Sequence, residues 1–222
     1  RGSSGQPLPH TKVKILGDNN SILGFREIGK IFVKGPQVMG GYLDNISASI
    51  KVLSVDGWFD TGDLGYLIPN GSLIITGRSK DTIVLSSGEN IEPNPLEVEI
   101  LSSEFISQVQ LIGQDKKNLA ALIVPNIDLV EREFSENNLE KLNDNFEIKK
   151  FYKFIINNLL KNRSGARFEE QIIDCLFVNQ FTIENSLLTQ TLKQKRKEIE
   201  NLYARDIEKM YEKQIKRENI IW

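Results

Sequence analysis

Alternating apolar and polar residues dominate the first third of the chain, and this period of two predicts β-strands. Residues 11–16 and 28–33 alternate in this way, and the apolar run at 73–76 predicts a further strand. A short helix, capped by Asn45 or Ser47, is predicted between the second and third of these segments. The sequence therefore predicts a β-rich segment that contains one short helix.

Helical spacing of apolar residues appears in the rest of the chain, together with further alternating segments. The predicted strands are residues 106–112, 119–124 and 175–178. The predicted helices are residues 93–102, 126–137, 147–162 and 198–216. The polar residues 140–145 are predicted to form a loop. This part of the chain is therefore predicted to mix helices with a sheet.

The same spacing predicts which helix positions are buried. The predicted core face of the helix at 147–162 consists of Ile148, Phe151, Ile155 and Leu159. The predicted buried positions of the last helix are Ile199, Leu202, Tyr203 and Met210. Glu97 and Glu99 lie toward the start of the helix at 93–102, where negative charge complements the helix dipole.

Composition limits the class of protein. The chain has 222 residues, of which 40% are hydrophobic, so it is long enough to bury a core. A formal net charge of −2 gives no general attraction to nucleic acid or to an anionic membrane. The single cysteine, Cys175, excludes an internal disulfide and predicts a buried thiol in a reducing, cytoplasmic compartment. No apolar run approaches the roughly 18 residues of a membrane span, but contact with a membrane surface stays open.

Polar residues cluster at two places among the predicted strands, residues 61–63 and 77–81. Asp63 is predicted at a turn, where its carboxylate can accept two hydrogen bonds from a vicinal diol such as ribose. Arg78 offers a rigid fork of donors for the same sugar or for a phosphate. The alternative is a hairpin with one Asp–Arg surface pair. Because a Gly-rich turn at 86–89 follows soon afterwards, the combination indicates a functional site.

Four segments resemble the adenylate-forming superfamily, in particular its long-chain acyl-CoA synthetases and acyl-acyl-carrier-protein synthetases. They are GWFDTGDLGYL, GRSKDTIVLSSGENIEPNPLEVEI, GQDKKNLAALIVPN and ENSLLTQTLKQKRKEIENLY. The first two resemble general adenylate-handling motifs, and the last two resemble the long-chain branch. Several motifs at family-like spacing are more specific than one glycine pattern. One departure is Gly29-Lys30-Ile31, where the family usually has Gly-Glu-Ile.

The resemblance implies roles for particular residues. Asp63 and Arg78 would bind the nucleotide through its ribose. Lys80, two residues after Arg78, would be the hinge about which a small domain moves between two half-reactions. The implied thiol-channel residues are Ser86, Ser87, Gly88 and Glu89. No metal ligand is evident in this chain.

The resemblance also implies a catalytic lysine within LLTQTLKQKR. The family pattern places a Thr four residues before this lysine. Thr191 and Lys195 have that spacing, so Lys195 is predicted to be catalytic, with Gln194 where the family has Gly. Thr189 and Lys193 have the same spacing, and Lys193 remains the alternative. The structural alternative for the whole basic run is a solvated surface.

The implied fold class is α+β, in which the end of a large N-terminal domain, a β-rich subdomain, is followed by a small mobile α+β C-terminal domain. Residues 1–78 are assigned to the large domain, and residues 79–222 to the small domain that carries the catalytic lysine. Because the chain begins with Arg1 at a point that lies well past the start of the family's sequences, we expect a C-terminal fragment that does not adenylate fatty acids by itself.

The implied function is that of an ATP-dependent long-chain fatty acid ligase. It would use ATP and Mg²⁺, and it would transfer the acyl group to CoA or to an acyl carrier protein. An acidic carrier protein would dock on the exposed cations Lys193, Arg196, Lys197 and Arg205. Nucleic acid is not an expected partner. The alternative is a non-catalytic module that binds an adenylate or another protein.

Overall fold

The computed structural model describes residues 3–220, and it describes side chains as far as Lys213. The chain forms two compact units, one ending at Thr82 and the other beginning at Ile83. Within the described range, no helix is long and apolar enough to cross a membrane. The predicted α+β fold class is confirmed, whereas the assignment of domains on either side of residue 78 stays a prediction.

The first unit is built on a four-stranded antiparallel sheet in the order β1-β2-β3-β4. Its strands are β1 (Lys12–Leu16), β2 (Gly29–Lys34), β3 (Phe59–Leu67) and β4 (Leu73–Arg78). Helix α1 (Ile46–Val52) follows Asn45, whose side chain accepts a hydrogen bond from the Ala48 N–H. The predicted strands and the predicted Asn45 cap are therefore confirmed.

The alternation in β1 and β2 separates a buried face from a basic face. Ile15 and Ile31 are register partners, and their exposed fractions are 1% and 2%. Lys12 lies opposite Lys34 on the other face. Like charges directly opposite each other disfavour strand pairing, so the buried aliphatic face and the backbone pairing of the two strands must outweigh this repulsion.

The second unit contains a hairpin and a three-stranded sheet. The hairpin pairs β5 (Ile83–Val84) with β6 (Asn90–Ile91). The sheet has the order β7-β8-β9, and its strands are β7 (Ile106–Ile112), β8 (Leu119–Pro125) and β9 (Ile172–Phe177). Strand β8 pairs antiparallel with β7 and parallel with β9.

Helices pack on both faces of this sheet. They are α2 (Pro93–Ile100), α3 (Ile127–Phe134), α4 (Leu139–Asp144), α5 (Phe146–Asn162), α6 (Arg196–Leu202) and α7 (Ala204–Ile220). Every residue of β8 is buried. One hydrophobic cluster joins α2 and α5 to Leu119, Ala121 and Ile123. A second cluster joins α6 and α7 to Ala120, Leu122 and Val124. Strand β8 is therefore the middle of a three-layer core.

The buried row of α5 differs from the prediction by one position. Ile148 is buried as predicted, but the row continues through Tyr152, Ile156 and Leu160. The predicted Phe151, Ile155 and Leu159 lie beside this row and are half-buried. The row includes Tyr152 because its hydroxyl donates a hydrogen bond to the Phe105 carbonyl oxygen at 3.0 Å, which satisfies the polar atom inside the core.

The loop predicted at residues 140–145 was wrong, because most of this segment is helix α4. The side chain of Asn138 accepts hydrogen bonds from the Glu140 and Lys141 N–H groups and so caps the helix. Asparagine favours this cap position. The sequence therefore contained a start signal for α4, within a polar stretch that hid it.

The last predicted helix is divided into α6 and α7, and the break lies at Tyr203. Ile199 and Met210 are buried as predicted, and Tyr203 packs half-buried against the same cluster. Leu202 was predicted to be buried but is 62% exposed. Leu202 is the last residue of α6, directly before the break, and Ile199 is the buried residue of that short helix.

Candidate functional site

Asp63 and Arg78 lie opposite each other on β3 and β4. The Arg78 Nε atom is 3.4 Å from the Asp63 Oδ1 atom, and the side chains are 61% and 29% exposed. Exposed ion pairs contribute about 0–1 kcal/mol to stability. The prediction that Asp63 sits at a turn was wrong, because it lies within β3. The pair therefore places a carboxylate and a guanidinium on two paired strands, where a ligand can reach both groups.

An irregularity in β3 sets the direction of Asp63. Phe32 lies opposite Asp60, whereas Lys30 lies opposite Leu64, so β3 has extra residues between these pairs. Gly62 occupies this bulge with a φ of 72°, a left-handed conformation that favours glycine. Bulges re-aim side chains and are frequent beside active sites. The Thr61-Gly62-Asp63 cluster found in the sequence is therefore a bulge.

Thr61 stabilises the bulge from within. Its hydroxyl donates to the Ile31 carbonyl oxygen at 2.9 Å and accepts from the Asp63 N–H at 3.1 Å. The Gly62 N–H donates to Asp60 Oδ1 at 2.9 Å. These bonds replace strand pairing that the extra residues interrupt.

Lys80 follows β4 in an exposed turn. The Asp81 N–H donates to the Arg78 carbonyl oxygen at 2.9 Å, which closes this turn. Strand β5 begins three residues after Lys80, at Ile83. The hinge role of Lys80 stays a prediction.

The predicted thiol-channel residues form the tip of the β5–β6 hairpin. The Leu85 N–H donates to the Glu89 carbonyl oxygen at 2.9 Å, and the Gly88 N–H donates to the Leu85 carbonyl oxygen at 2.8 Å. Gly88 has a φ of 87°, which suits glycine. The exposed residues of the tip are Ser86, Ser87, Gly88 and Glu89. The tip is therefore a tight turn that presents its polar groups outward.

The lysine-containing segment forms a small loop closed by Thr189 and Lys193. The Thr189 N–H donates to the Lys193 carbonyl oxygen at 2.8 Å, and the Lys193 N–H donates to Thr189 Oγ1 at 3.0 Å. Leu192 lies at the turn with a φ of 59°, in the left-handed region. Lys193 is exposed. A Thr placed four residues before a lysine thus has a structural purpose here, since it closes the loop.

Lys195 lies at the other end of this segment, at the position that precedes α6. Its N–H donates to the Leu187 carbonyl oxygen at 2.9 Å, and its side chain is half-buried. Gln194, just before it, donates from Nε2 to the Val109 carbonyl oxygen at 3.1 Å. The Lys195 backbone is therefore fixed to Leu187, and the Gln194 side chain beside it is bonded to β7.

Arg196 completes this attachment. Its Nη1 atom lies 2.8 Å from Glu97 Oε1 and 3.0 Å from Glu97 Oε2, and its Nη2 donates to the Leu111 carbonyl oxygen at 2.7 Å. Glu97 also accepts from the Leu111 N–H at 2.7 Å. Arg196 was predicted as an exposed docking cation for a carrier protein; this was wrong, because its side chain is only 12% exposed.

Sequence reasoning missed the role of Glu97. It was predicted to complement the helix dipole together with Glu99, but no acidic residue lies in the first turn of α2. Glu97 instead shares the buried face with Pro93 and Ile100. Its spacing from these two residues was the available signal, since an acidic residue on a core face requires a partner.

Cys175 is buried and free, as predicted. Burial raises the pKa of its thiol to about 12. A thiol with a raised pKa is a poor nucleophile at neutral pH. Cys175 is therefore part of the core rather than of a reactive site.

Among the described residues, no three or more His, Cys, Asp or Glu side chains are grouped so that they could hold a metal ion. Mg²⁺ in nucleotide enzymes is bound largely through phosphates and water. The described residues therefore offer no cage of their own for Mg²⁺.

Comparison with known proteins gives consistent matches. Residues 80–215 match the model of the AMP-binding enzyme C-terminal domain. A chloroplastic long-chain-fatty-acid–acyl-carrier-protein ligase of Arabidopsis thaliana is 37% identical, over 95% of this chain and 29% of the relative. Long-chain-fatty-acid–CoA ligase 1 of Homo sapiens is 32% identical, over 95% of this chain and 31% of the relative.

A solved structure has a similar fold. It is the A domain of the carboxylic acid reductase from Segniliparus rugosus, determined with AMP and a co-purified carboxylic acid. The TM-score is 0.76 at 21% sequence identity, and the match covers 91% of this chain and 31% of that one. The chain thus spans about 30% of the length of the relatives that it matches.

Proposed function

The chain belongs to the family of AMP-binding enzyme C-terminal domains, and we propose that it is the C-terminal part of an ATP-dependent long-chain fatty acid ligase. In the first step a fatty carboxylate attacks the α-phosphate of ATP and releases pyrophosphate. In the second step a thiol attacks the acyl carbon and releases AMP. The observation that carries this proposal is the 37% and 32% identity to long-chain ligases over 95% of the chain.

The Asp63–Arg78 pair would bind the ribose in this reaction. The Asp63 carboxylate can accept hydrogen bonds from both hydroxyls of a vicinal diol. The exposure of both side chains supports the role, because a ligand can reach them without breaking the core. A fixed nucleotide makes the attack effectively intramolecular, which lowers its entropic cost.

The catalytic lysine would lie between the carboxylate and the α-phosphate and stabilise the negative charge that both bring together. Removing one such preorganised donor typically costs about 10²–10³ in rate. Lys195 is the residue chosen from the sequence, and Lys193 is the alternative. Lys195 has the better-anchored backbone, through Leu187 and its neighbours Gln194 and Arg196.

The loop geometry favours Lys193. Thr189, four residues earlier, hydrogen-bonds the Lys193 backbone in both directions. Leu192, directly before Lys193, adopts the left-handed conformation that glycine favours. Gln194, directly before Lys195, instead forms an antiparallel bridge with Leu188. The family's Gly therefore suits position 192 better than position 194, and both lysines remain candidates for the catalytic role.

ATP, CoA and carrier protein enter this proposal as ligands of the complete enzyme. Mg²⁺ would shield the phosphates of ATP. This chain would supply two parts of the second step. Lys80 would be the hinge, and the tip at residues 86–89 would form a wall of the thiol channel. The tip's exposed turn supports the second assignment.

The acceptor is CoA or an acyl carrier protein, since relatives named for either acceptor match 95% of the chain. Lys193, Lys197 and Arg205 are exposed and suit an acidic carrier protein. We propose that carrier protein is at least a competent acceptor, with CoA as the default.

The function is tested by ATP–pyrophosphate exchange with a long-chain fatty acid, using the complete protein that contains this chain. Exchange that depends on the fatty acid is expected from the complete protein and not from residues 1–222 alone. Absence of exchange from the complete protein would overturn the proposal and leave a non-catalytic module.

A further inference from the structure

The segment between α5 and β9 contains a cluster of charges around Glu170. Glu170 is 6% exposed and lies in the short 3₁₀ turn Phe168–Glu170. Its carboxylate accepts hydrogen bonds from the Arg167 N–H at 3.0 Å and from Arg167 Nε at 3.1 Å, and it also pairs with Arg163 Nη2. One buried carboxylate thus orients the Arg167 guanidinium.

Electrostatics keep Glu170 ionised. Burial by itself would raise the pKa of this carboxyl, but the hydrogen bonds from Arg167 and Arg163 outweigh burial and lower the pKa. A charged Glu170 holds Arg167 more strongly than a neutral acid would, because hydrogen bonds between ionised partners are stronger.

The same guanidinium reaches the predicted thiol-channel hairpin. Arg167 Nη2 donates to the Asn90 carbonyl oxygen at 3.0 Å, and Arg167 Nη1 lies 3.7 Å from Glu89 Oε2. Asn90 begins strand β6, and Glu89 is the last residue of the tip. Arg167 therefore links a buried anchor to the end of the hairpin.

The hairpin has a reason to need this link. Its strands have two residues each, and Ile83, Leu85 and Ile91 are buried in the core, but the tip between them is exposed and depends on polar contacts. On its other side the Ser86 N–H donates to the Lys116 carbonyl oxygen at 2.9 Å. Ser86 and Arg167 thus fix the tip from two directions.

We propose that Arg167 is a positioning residue, which holds the tip at residues 86–89 in the geometry that the thiol acceptor requires. The proposal rests on the proposed ligase function for its catalytic part. In the proposed ligase the tip lines the thiol channel, so the loss of Arg167 should act on the second step rather than on adenylation. A side chain that is 42% exposed is also not a main support of the core.

The first test uses this chain alone and measures amide hydrogen exchange. In Arg167→Met the amides of Leu85 and Gly88 should exchange about tenfold faster, the scale of one hydrogen bond to a charged group. Arg167→Lys should give an intermediate rate, because lysine keeps the charge but not the planar fork. Arg132→Met, at an exposed arginine of α3, is the matched control and should leave both rates unchanged.

The second test uses the complete ligase and separates the two steps. Arg167→Met should leave ATP–pyrophosphate exchange within about twofold of wild type and raise the KM for the thiol acceptor about tenfold, by the same reasoning. Arg167→Lys should recover part of this loss.

The outcomes are distinct. Faster amide hydrogen exchange at the tip with an unchanged KM for the acceptor would overturn the positioning role. An equal loss of rate in adenylation and in thiol transfer would overturn it as well. Unchanged amide exchange would overturn the link itself. A wild-type protein without fatty-acid-dependent exchange would overturn the ligase function, and with it the acceptor part of this inference, while the hydrogen-exchange result would still decide whether Arg167 holds the tip.

Discussion

Glu97 and Arg196 are 99 residues apart in the sequence and form an ion pair of 2.8 Å in which both side chains are nearly buried. The pair joins α2 to the start of α6, directly after the segment that carries Lys193 and Lys195. Removal of a charge from water is costly, so such a pair is stable only when further hydrogen bonds satisfy it. Here Leu111 provides them, with its N–H to Glu97 and its carbonyl oxygen to Arg196.

Glu97→Gln should therefore destabilise the second unit strongly. It leaves Arg196 buried without a counter-charge, and breaking a buried pair in this way costs about 3–5 kcal/mol. Urea unfolding of this chain, followed by circular dichroism, measures the change. Glu99→Gln, on the same helix and half-exposed, is the control and should change the free energy of unfolding by less than about 0.5 kcal/mol. Equal effects of the two variants would contradict the role given to the pair.

Two single substitutions in the complete ligase, Lys193→Ala and Lys195→Ala, distinguish between the two candidate lysines. Replacing the reacting lysine with alanine should reduce acyl-adenylate formation by about 10²–10³. The loop closure by Thr189 leads us to expect this loss from Lys193→Ala, with a smaller loss from Lys195→Ala. Single-turnover formation of acyl-adenylate is the measurement. A larger loss from Lys195→Ala would restore the assignment made from the sequence.

Lys80→Pro should separate the two half-reactions. Proline fixes φ near −65° and removes a backbone donor, so it restricts rotation at this residue. If Lys80 is the hinge, adenylation is kept and transfer to the thiol is lost. Lys80→Ala, which keeps the backbone free, should retain both steps. Equal loss of both steps in the proline variant would point to general damage instead.

The carboxyl of Glu170 makes the second unit sensitive to acid. Its pKa is lowered in the folded state, so its contribution to stability is present above the unfolded value of about 4.3 and is lost as the pH falls through the folded value. The difference in unfolding free energy between wild type and Glu170→Gln should be constant from pH 7 to about pH 5 and should shrink below about pH 4. A difference that stayed constant to pH 3 would count against the ionised cluster.

Salt distinguishes the two acceptors. Exposed charges are screened beyond about 8 Å at physiological ionic strength. Transfer to a carrier protein that docks on Lys193, Lys197 and Arg205 should therefore fall steeply from low to moderate salt. Transfer to CoA should change less. No transfer to carrier protein at any salt concentration would remove that acceptor from the proposal.

Periodicity predicted most of the strands and helices, because burial on one face leaves a repeating pattern in the sequence. It failed where a distant partner decides the outcome. The bulge at Gly62 depends on the Ile31 carbonyl oxygen across the sheet, and the buried face of α5 depends on a hydrogen bond from Tyr152 to Phe105. Neither partner is evident from local spacing.

The same limit applies to the candidate site. Asp63 and Arg78 were found because both sit beside polar clusters in apolar surroundings, and the sheet register pairs them. Arg196 was misread because a basic run is usually solvated, and only the distant Glu97 changes its environment. A sequence shows which side chains could bind a ligand, but it does not show which of them are already paired with another residue of the protein.

The burial of β8 on both faces affects how the chain is made on the ribosome. Helices α2 and α5, which cover one face, are synthesised before β9. Helices α6 and α7, which cover the other face, come last. Until those two helices emerge, Ala120, Leu122 and Val124 present an apolar strip to the surroundings of the nascent chain. From the end of β8 until α6 and α7 are made, one face of the central strand is therefore uncovered.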